Sequence, residues 1–498
     1  MIYMVGENVF TFNSGTEFSQ MQRLKAFKRN GIEAKLLVRN YNRFLYRDAS
    51  RAGLAKDDYI NMYDYFQGVV GLERKKQELR LLDSIPLTKY HVVGIDNNLT
   101  TIDLLGRTIA KIAVMPETVG LVGSIDYFDR FGNKELTEFW DWRGFKSMEQ
   151  NYNPDETVAA QKFFDRQGHV VLEIVHMNKN GKLAPTLWKL MNYHGHDYAF
   201  DSEDSLFLFF MNEITKTTPG LMISDRRTLD AAVKQVAHAT GTIAYIHEGD
   251  LFIEGEGKKK VPNPIYDEAL DEQKPFTAVF FATREQAKSL SGKWPHLTIK
   301  SSPDTFAEAQ ADNHSEPEHP HLTYIGRLFP DKHIADLIDA FEQVHQARPD
   351  AELFLKGYFS DDDYHHEITD KIHKKKLDDA VHLVNYSNDN HDILAKTTVF
   401  ISAAKSEAFG MNSLEAMAAG VPVVAYGCLF LKNNLLINDQ NGLAVDNMTP
   451  SNLGKAALSV LQDDQLYQRL QAGALKTATQ HSEKAFVDEW KSGLSEFL

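Results

Sequence analysis

The chain has 498 residues, 43% of them hydrophobic and 25% charged, with a formal net charge of -15 and one cysteine, Cys428. That length calls for two or three domains, the acidic balance argues against a nucleic-acid binder, and one cysteine cannot form an internal disulfide. MIYMVGENVF lacks a basic n-region with a long apolar stretch behind it, and no apolar run nears the about 20 residues of a membrane span. A reducing cytoplasm is the expected compartment, with peripheral contact at the inner face of the cell membrane left open.

The first forty residues predict strand, glycine loop, helix, strand: IYMVGENVF, FNSGTEFSQ, the amphipathic MQRLKAFKRN ending at Gly31, then IEAKLLVRN. This opens a doubly wound α/β sheet, the first part of an N-terminal Rossmann-like lobe over residues 1–81. From 82 to 200 the pattern changes to short alternating stretches with turn signals. Tyr127 to Gly132 and Phe163 to Gly168 resemble each other and read as hairpin turns, with Asn178 to Gly181 as a third. An inserted antiparallel β-meander is expected there.

The strand and helix rhythm returns over 201–312 through Asp204 to Thr215, GLMISDR, GTIAYIHEGD and FTAVFFATREQ. SPDTFAEAQADNHSEPEHPH, Ser302 to His321, reads as a polar linker. A second doubly wound lobe follows over 321–480, with strands at HLTYI, Ala351 to Leu355, Val381 to Val384, Thr398 to Ser402 and Val421 to Ala425. Residues 481–498 read as a terminal amphipathic helix.

Two stretches of the second lobe carry chemistry. In SEAFGMNSLEA, Glu407 and Glu415 would lie about 12 Å apart on a continuous helix at roughly 1.5 Å per residue, too far for a retaining hydrolase pair at about 5 to 5.5 Å. The simpler reading gives each glutamate a different end of one elongated ligand. Asn412 or Ser413 is the expected helix cap, and the helix N-terminus between the carboxylates suits a phosphate. GRLFPDK, directly after HLTYI, puts Arg327 and Lys332 at a strand's carboxyl end, where open α/β sheets bind ligands.

Together, GRLFPDK and EAFGMNSLE resemble the donor-site signature of retaining glycosyltransferases of family 4, which have the GT-B fold of two Rossmann-like lobes facing a cleft. The resemblance implies that Arg327 and Lys332 bind a nucleotide diphosphate, Glu415 the ribose hydroxyls and Glu407 the donor sugar. Backbone groups from Phe409 through Gly410, Met411 and Asn412 to Ser413 would approach sugar and phosphates. It extends to Gly15 and Thr16 in the first glycine loop, to Gly357 in FLKGYF and to Tyr386 on the substrate side. It also extends to the terminal helix, which in this family crosses back to the first lobe. His247, in IAYIHEGD, corresponds to a histidine that contacts the donor sugar or the reacting hydroxyl; a lone histidine is more often structural, and its place in the pattern is what raises it.

The insert is similar to the extra domain of bacterial poly(glycerol/ribitol-phosphate) α-glycosyltransferases acting on wall teichoic acid, and of a sister group that glycosylates serine-rich adhesins. The implied donor is UDP-glucose or UDP-N-acetylglucosamine, used as a substrate, with no cofactor or metal. The implied acceptor is teichoic acid polymer or a serine-rich polypeptide. A homo-oligomer, or a hetero-oligomer with a paralogous partner, stays open, as does a non-catalytic acceptor-binding role.

Three stretches have plainer readings. Asp361 to Glu367 is dense in metal-ligand types but reads as a solvated loop, and Lys371 to Lys376 as an exposed helix face. CLFLKNNLLINDQNG is longer and more apolar than the family's usual segment there, which leaves the phosphate contacts near Lys432 to Asn434 open.

Overall fold

Three short parallel strands open the computed structural model: β1 (Ile2–Gly6), β2 (Ala34–Val38) and β3 (Tyr59–Asn61). The structure describes all residues except 12, 80, 81, 84, 87, 250, 255–259, 310–318 and 498, and it divides into two units, Met1–Thr242 and Ile243–Leu498. Residues 310–318 of the predicted linker, and the predicted boundaries at 81 and 312, therefore lie outside the described residues.

The segment expected as a glycine loop is helical from Gly15 onward. The helix Gly15–Arg29 starts at Gly15, and the Glu17 carboxylate accepts from the backbone N–H and the hydroxyl of Ser14, at 2.9 and 2.6 Å. Arg226 donates to Ser14 Oγ at 2.8 Å and also grips Glu17, so this helix start is clamped from a second segment. Gly31, at φ 71°, ends the helix as expected.

Ten antiparallel strands follow in simple up-and-down order, β4 (His91–Gly94) through β13 (His196–Phe200). All three predicted turns are present, with Gly132, Gly168 and Gly181 at φ 82–89°. The likeness of the first two has a physical basis. Asp129 Oδ1 accepts from the N–H groups of Phe131 and Asn133, and Asp165 Oδ1 accepts from those of Gln167 and His169, all at 2.8–2.9 Å. Arg143 fastens this sheet to the α/β layer of the same unit: buried, it makes bidentate contacts of 2.7–2.9 Å with both Asp64 and Asp141. A buried guanidinium needs that much compensation, because desolvating it unpaired costs several kcal/mol. The helix Glu203–Thr217 and β14 (Gly220–Ser224), which pairs in parallel with β1, complete the layer.

β15 (Ala239–Ile246) leads into the second unit. Its second half pairs in parallel with β18 (Ala278–Phe281), and β18 pairs with β19 (Ile299–Ser301); β16 (Phe252–Glu254) and β17 (Lys260–Pro262) form a small ribbon between them in sequence. Ser302, Asp304, Thr305 and Phe306, assigned above to a polar linker, are buried. The helix Glu483–Leu494 packs here through Trp490, which stacks on Phe280 with ring centroids 5.9 Å apart.

Six parallel strands follow: β20 (His321–Ile325), β21 (Glu352–Gly357), β22 (Val381–Asn385), β23 (Val399–Ser402), β24 (Val423–Tyr426) and β25 (Gly442–Val445). Both faces are covered: Val424 packs with Ile338, Phe341 and Leu453, whereas its neighbour Val423 packs with Leu414, Met417 and Leu435. Adjacent residues of one strand therefore feed opposite cores, which is why these strands read as continuous apolar runs.

Candidate active site

The strand order β22-β21-β20-β23-β24-β25 is 3-2-1-4-5-6 when counted from β20. The order reverses between β20 and β23, and the crevice outside the carboxyl ends of those two strands is where doubly wound sheets bind ligands. GRLFPDK leaves β20, and AAKSEAFG leaves β23.

The first loop is shaped by glycines. Gly326 N–H donates to Lys356 O at 3.0 Å, and a Cβ on Gly357 would sit 1.9 Å from Gly326 O. Gly357 thus permits the close approach of two backbones, and Leu328 N–H continues the contact to Tyr358 O at 2.9 Å. A 3-10 turn, Pro330–Lys332, then aims Lys332 across the switch, where Nζ lies 3.2 Å from Glu407 Oε2. Residues 75 positions apart in sequence meet as an ion pair. Arg327 is 38% exposed, pairs with Asp331 at 3.3 Å and lies over the Phe329 ring at 4.7 Å. Phe329, Tyr358 and Tyr386 continue as edge-to-face contacts of 5.7 and 5.6 Å, forming an aromatic wall beside the arginine.

The second loop ends at Gly410, which corrects the expected cap. Gly410, at φ 86°, is the N-cap of the helix Met411–Ala418, with no side-chain cap; the Asn412 side chain instead donates to Ile325 O at 2.7 Å. Asn412 therefore ties the two loops together, and the first-turn N–H groups face outward from an uncapped helix end. A Cβ on Gly410 would lie 2.5 Å from Leu431 Cδ1. Ser413 and Phe409 are buried, and Phe409 meets the His481 ring edge-on at 6.0 Å. Glu407 stands ahead of this helix and Glu415 within it, so the two carboxylates are not on one continuous helix.

Glu415 is held by Asn390, whose Nδ2 lies 3.1 Å from each carboxylate oxygen. Burial pushes the Glu415 carboxyl above the usual range, partly offset by Asn390 and by Lys356. Burial likewise lowers Lys356, whose Nζ donates to Asp389 O. Asn390 and Lys356 were not singled out from sequence; only the fold brings them to Glu415.

His247 follows β15. Its Nδ1 lies 2.7 Å from Asp304 Oδ1, and both side chains are buried. Two residues on, a Cβ at Gly249 would sit 2.8 Å from the Glu407 carbonyl carbon, so the histidine loop packs on the Glu407 loop. Asp304 was also missed; its place just after β19 is the signal that could have found it. Gly15, exposed, and Thr16, half-buried, form the first turn of their helix in the other unit. A cavity of about 320 Å³ bounded by Thr283, Ser302, Asn434 and His481 includes only Phe409 among the predicted residues.

The plainer stretches resolve differently from expectation in part. Asp361 is the N-cap of the helix Asp362–Lys374, accepting from Tyr364 N–H at 2.8 Å, so that stretch is helix rather than loop. Among the described residues no group of three or more His, Cys, Asp and Glu side chains is gathered as metal ligands would be. Lys371 and Lys375 pair with Asp339, and Lys375 also with Glu342. The atypical segment forms the short helix Leu429–Asn434, with Lys432 paired to Asp446. No helix among the described residues is long and apolar enough to cross a membrane.

With this geometry in hand, the relatives are informative. Residues 306–477, which contain the whole six-stranded sheet, match the family described as glycosyl transferases group 1. The chain is 23% identical over 460 residues to a poly(glycerol-phosphate) alpha-glucosyltransferase of Bacillus subtilis, an alignment spanning 88% of this chain but 65% of that protein's length. It is 20% identical to the GtfA subunit of a UDP-N-acetylglucosamine–peptide N-acetylglucosaminyltransferase of Streptococcus agalactiae, over 91% of this chain and 88% of that one. Among solved structures, S. aureus TarM, as a mutant in complex with fondaparinux, alpha-GlcNAc-glycerol and UDP, superposes with a TM-score of 0.83 at 18% identity, covering 100% of this chain and 99% of TarM. The fold is thus GT-B, with a ten-stranded antiparallel sheet in the first unit.

Proposed function

We propose that this chain is a retaining, metal-independent glycosyltransferase of family 4 that moves glucose or N-acetylglucosamine from a UDP-sugar to a cell-surface polymer precursor, poly(glycerol/ribitol-phosphate) wall teichoic acid. The observation that carries the proposal is the meeting of Lys332 and Glu407 at the topological switch, beside the uncapped helix end at Gly410. Lys332, Arg327 and that helix end stabilise negative charge on the departing diphosphate, where preorganised donors act most strongly. Glu407, released from Lys332 as phosphate takes its place, accepts hydrogen bonds from the sugar. Glu415, oriented by Asn390, holds the ribose, and Tyr386 and Gly357 border the nucleotide side. His247 contacts the sugar or the acceptor hydroxyl, and Gly15 and Thr16 belong to the acceptor side. The acceptor oxygen attacks on the same face as the leaving phosphate, which takes the hydroxyl proton.

The alignment to the GtfA subunit over 91% of this chain favours a second reading, O-glycosylation of Ser/Thr in a serine-rich polypeptide. Incubation with UDP-glucose or UDP-N-acetylglucosamine and each acceptor in turn tests both: the acceptor that gains the mass of one hexose or one N-acetylhexosamine is the substrate. No UDP-sugar consumption with either acceptor, and no UDP binding by calorimetry, would sink the proposal.

A further inference from the structure

Lys356 stands where a parallel strand buried on both faces ordinarily carries an apolar side chain. It lies on β21 between the core residue Leu355 and Gly357, and it is 6% exposed. A buried amine has to be compensated, and the partner it finds is informative. Nζ donates to the backbone carbonyl of Asp389, in the turn that follows β22, and the exposed Ser387 hydroxyl donates to the same carbonyl at 2.8 Å. The main chain of Lys356 holds the neighbour on the other side. Its carbonyl accepts from Gly326 N–H at 3.0 Å, at the start of the loop that carries Arg327 and Lys332. One residue thus grips the loops leaving β20 and β22 at once.

The residue after Asp389 is Asn390, whose Nδ2 lies 3.1 Å from both oxygens of Glu415. Its Oδ1 is buried without a hydrogen-bond partner among the described residues. No second bond therefore steadies the amide, and the direction of Nδ2 depends on where the turn sets the Asn390 backbone. Burial shifts Lys356 and Glu415 in opposite directions, lowering the amine and raising the carboxyl, and each partly offsets the shift of the other. The two groups are within electrostatic reach of one another.

We infer that Lys356 is a positioning residue for ribose recognition: by holding the Asp389 carbonyl it sets the turn that brings Asn390 onto Glu415, and so fixes how that carboxylate meets the ribose hydroxyls. An amine can donate to a carbonyl in either protonation state, so the hold does not depend on how Lys356 titrates. Because its own carbonyl also holds Gly326, the ribose end and the diphosphate end of the site are both referenced to β21. The inference rests on the glycosyltransferase reading for the identity of the ligand.

The test is Lys356→Met, which keeps the side chain's length, removes its donor and leaves the backbone bond to Gly326 in place. Calorimetry on the full chain measures UDP, 2′-deoxy-UDP and 3′-deoxy-UDP against the wild type, Lys356→Met, Asn390→Ala and the double variant, with Tm taken on the same samples. The wild type should bind UDP at least about tenfold more tightly than one or both deoxy analogues, the size of one hydrogen bond to a charged acceptor. In Lys356→Met that preference should shrink to about two- to threefold, through weaker binding of UDP with little change for the analogue. Since Lys356 acts through Asn390, the double variant should bind UDP no more weakly than Asn390→Ala alone. Lys356→Leu, shorter and equally apolar, stands in if the Met variant fails to fold. A residue that only supports the fold would weaken all three ligands alike and leave the preference intact. That pattern overturns the inference, as do losses that multiply in the double variant, or a wild type that binds UDP and both analogues equally. Absence of UDP binding to the folded wild type instead sinks the glycosyltransferase reading, and this inference with it.

Discussion

The ten-stranded antiparallel sheet and the six-stranded parallel sheet solve the same problem with opposite consequences. The first joins neighbours through tight turns, and each turn consumes its own polar residues: Asp129 and Asp165 spend their carboxylates on turn N–H groups. The second must cross over between strands, so every return is long and all loops leaving the carboxyl ends lie at one edge. Polar residues there are free to face each other across the switch, as Lys332 and Glu407 do. Chemistry collects where the connections are long, and shape where they are short.

Substitutions can break this contrast, and the largest effect belongs at the switch. Glu407→Ala and Lys332→Ala should each lower sugar transfer by about 10²- to 10³-fold, comparable to losing a preorganised charge partner. Because the two touch, the double variant should lose less than the product of the single losses; fully multiplicative losses in a turnover assay would show that the pair does not act together.

Equivalent glycines come next. Gly410 and Gly168 have nearly the same φ, 86° and 88°, but a Cβ on Gly410 meets Leu431 while one on Gly168 meets nothing within 4 Å. Gly410→Ala should cost ~1–3 kcal/mol in urea unfolding and also weaken UDP binding, whereas Gly168→Ala should cost about 1 kcal/mol and leave binding alone.

Glu415→Gln separates binding from stability. Losing a charged acceptor should weaken UDP binding by roughly ten- to a hundredfold. The folded-state pKa of Glu415 is raised by burial, so the native state holds that proton more tightly than the unfolded chain does. Its contribution to stability is fully present below the unfolded pKa and is lost as pH rises through the folded value. The variant should therefore gain Tm relative to wild type at pH 7 and lose that advantage at acid pH; an advantage that grows on acidification would contradict this assignment.

The smallest effect is a rate of labelling. Burial pushes the Cys428 thiol up to about 11, so at pH 8 the native protein should react with a thiol reagent at least ~100-fold more slowly than the unfolded chain. Comparable rates would mean that Cys428 is accessible.

Much of this was legible in the sequence because it rests on local rules. Apolar runs bounded by helix signals marked β20 to β24, and left-handed glycines marked the meander turns. The placing of Arg327 and Lys332 beyond a strand's carboxyl end, and of Glu407 and Glu415 around a helix start, was legible because apolar runs and glycines mark those ends; the pairing of Lys332 with Glu407 was not. What escaped depends on contacts that no spacing encodes. Asn390 reaches Glu415 from another connection, Arg143 joins Asp64 across 79 positions, and Asp304 was hidden by a composition that reads as solvated linker. The cap was misassigned because Asn412 found a carbonyl on a neighbouring loop, and Gly410 took the turn that side-chain capping would have shaped.

The resting ion pairs have one more consequence, for how a ligand arrives. Lys332 and Arg327 each begin with a carboxylate partner, Glu407 and Asp331, in a chain whose formal net charge is -15. Each pair presents little more than a dipole to distant solvent, so these two cations provide scant long-range steering for an anionic donor. On the proposed reading, recognition would instead begin at contact, when phosphate oxygens compete for cations already engaged. On that reading the rate of encounter should not fall with added salt, as an electrostatically steered encounter would, and selectivity would reside in the exchange of partners at the switch.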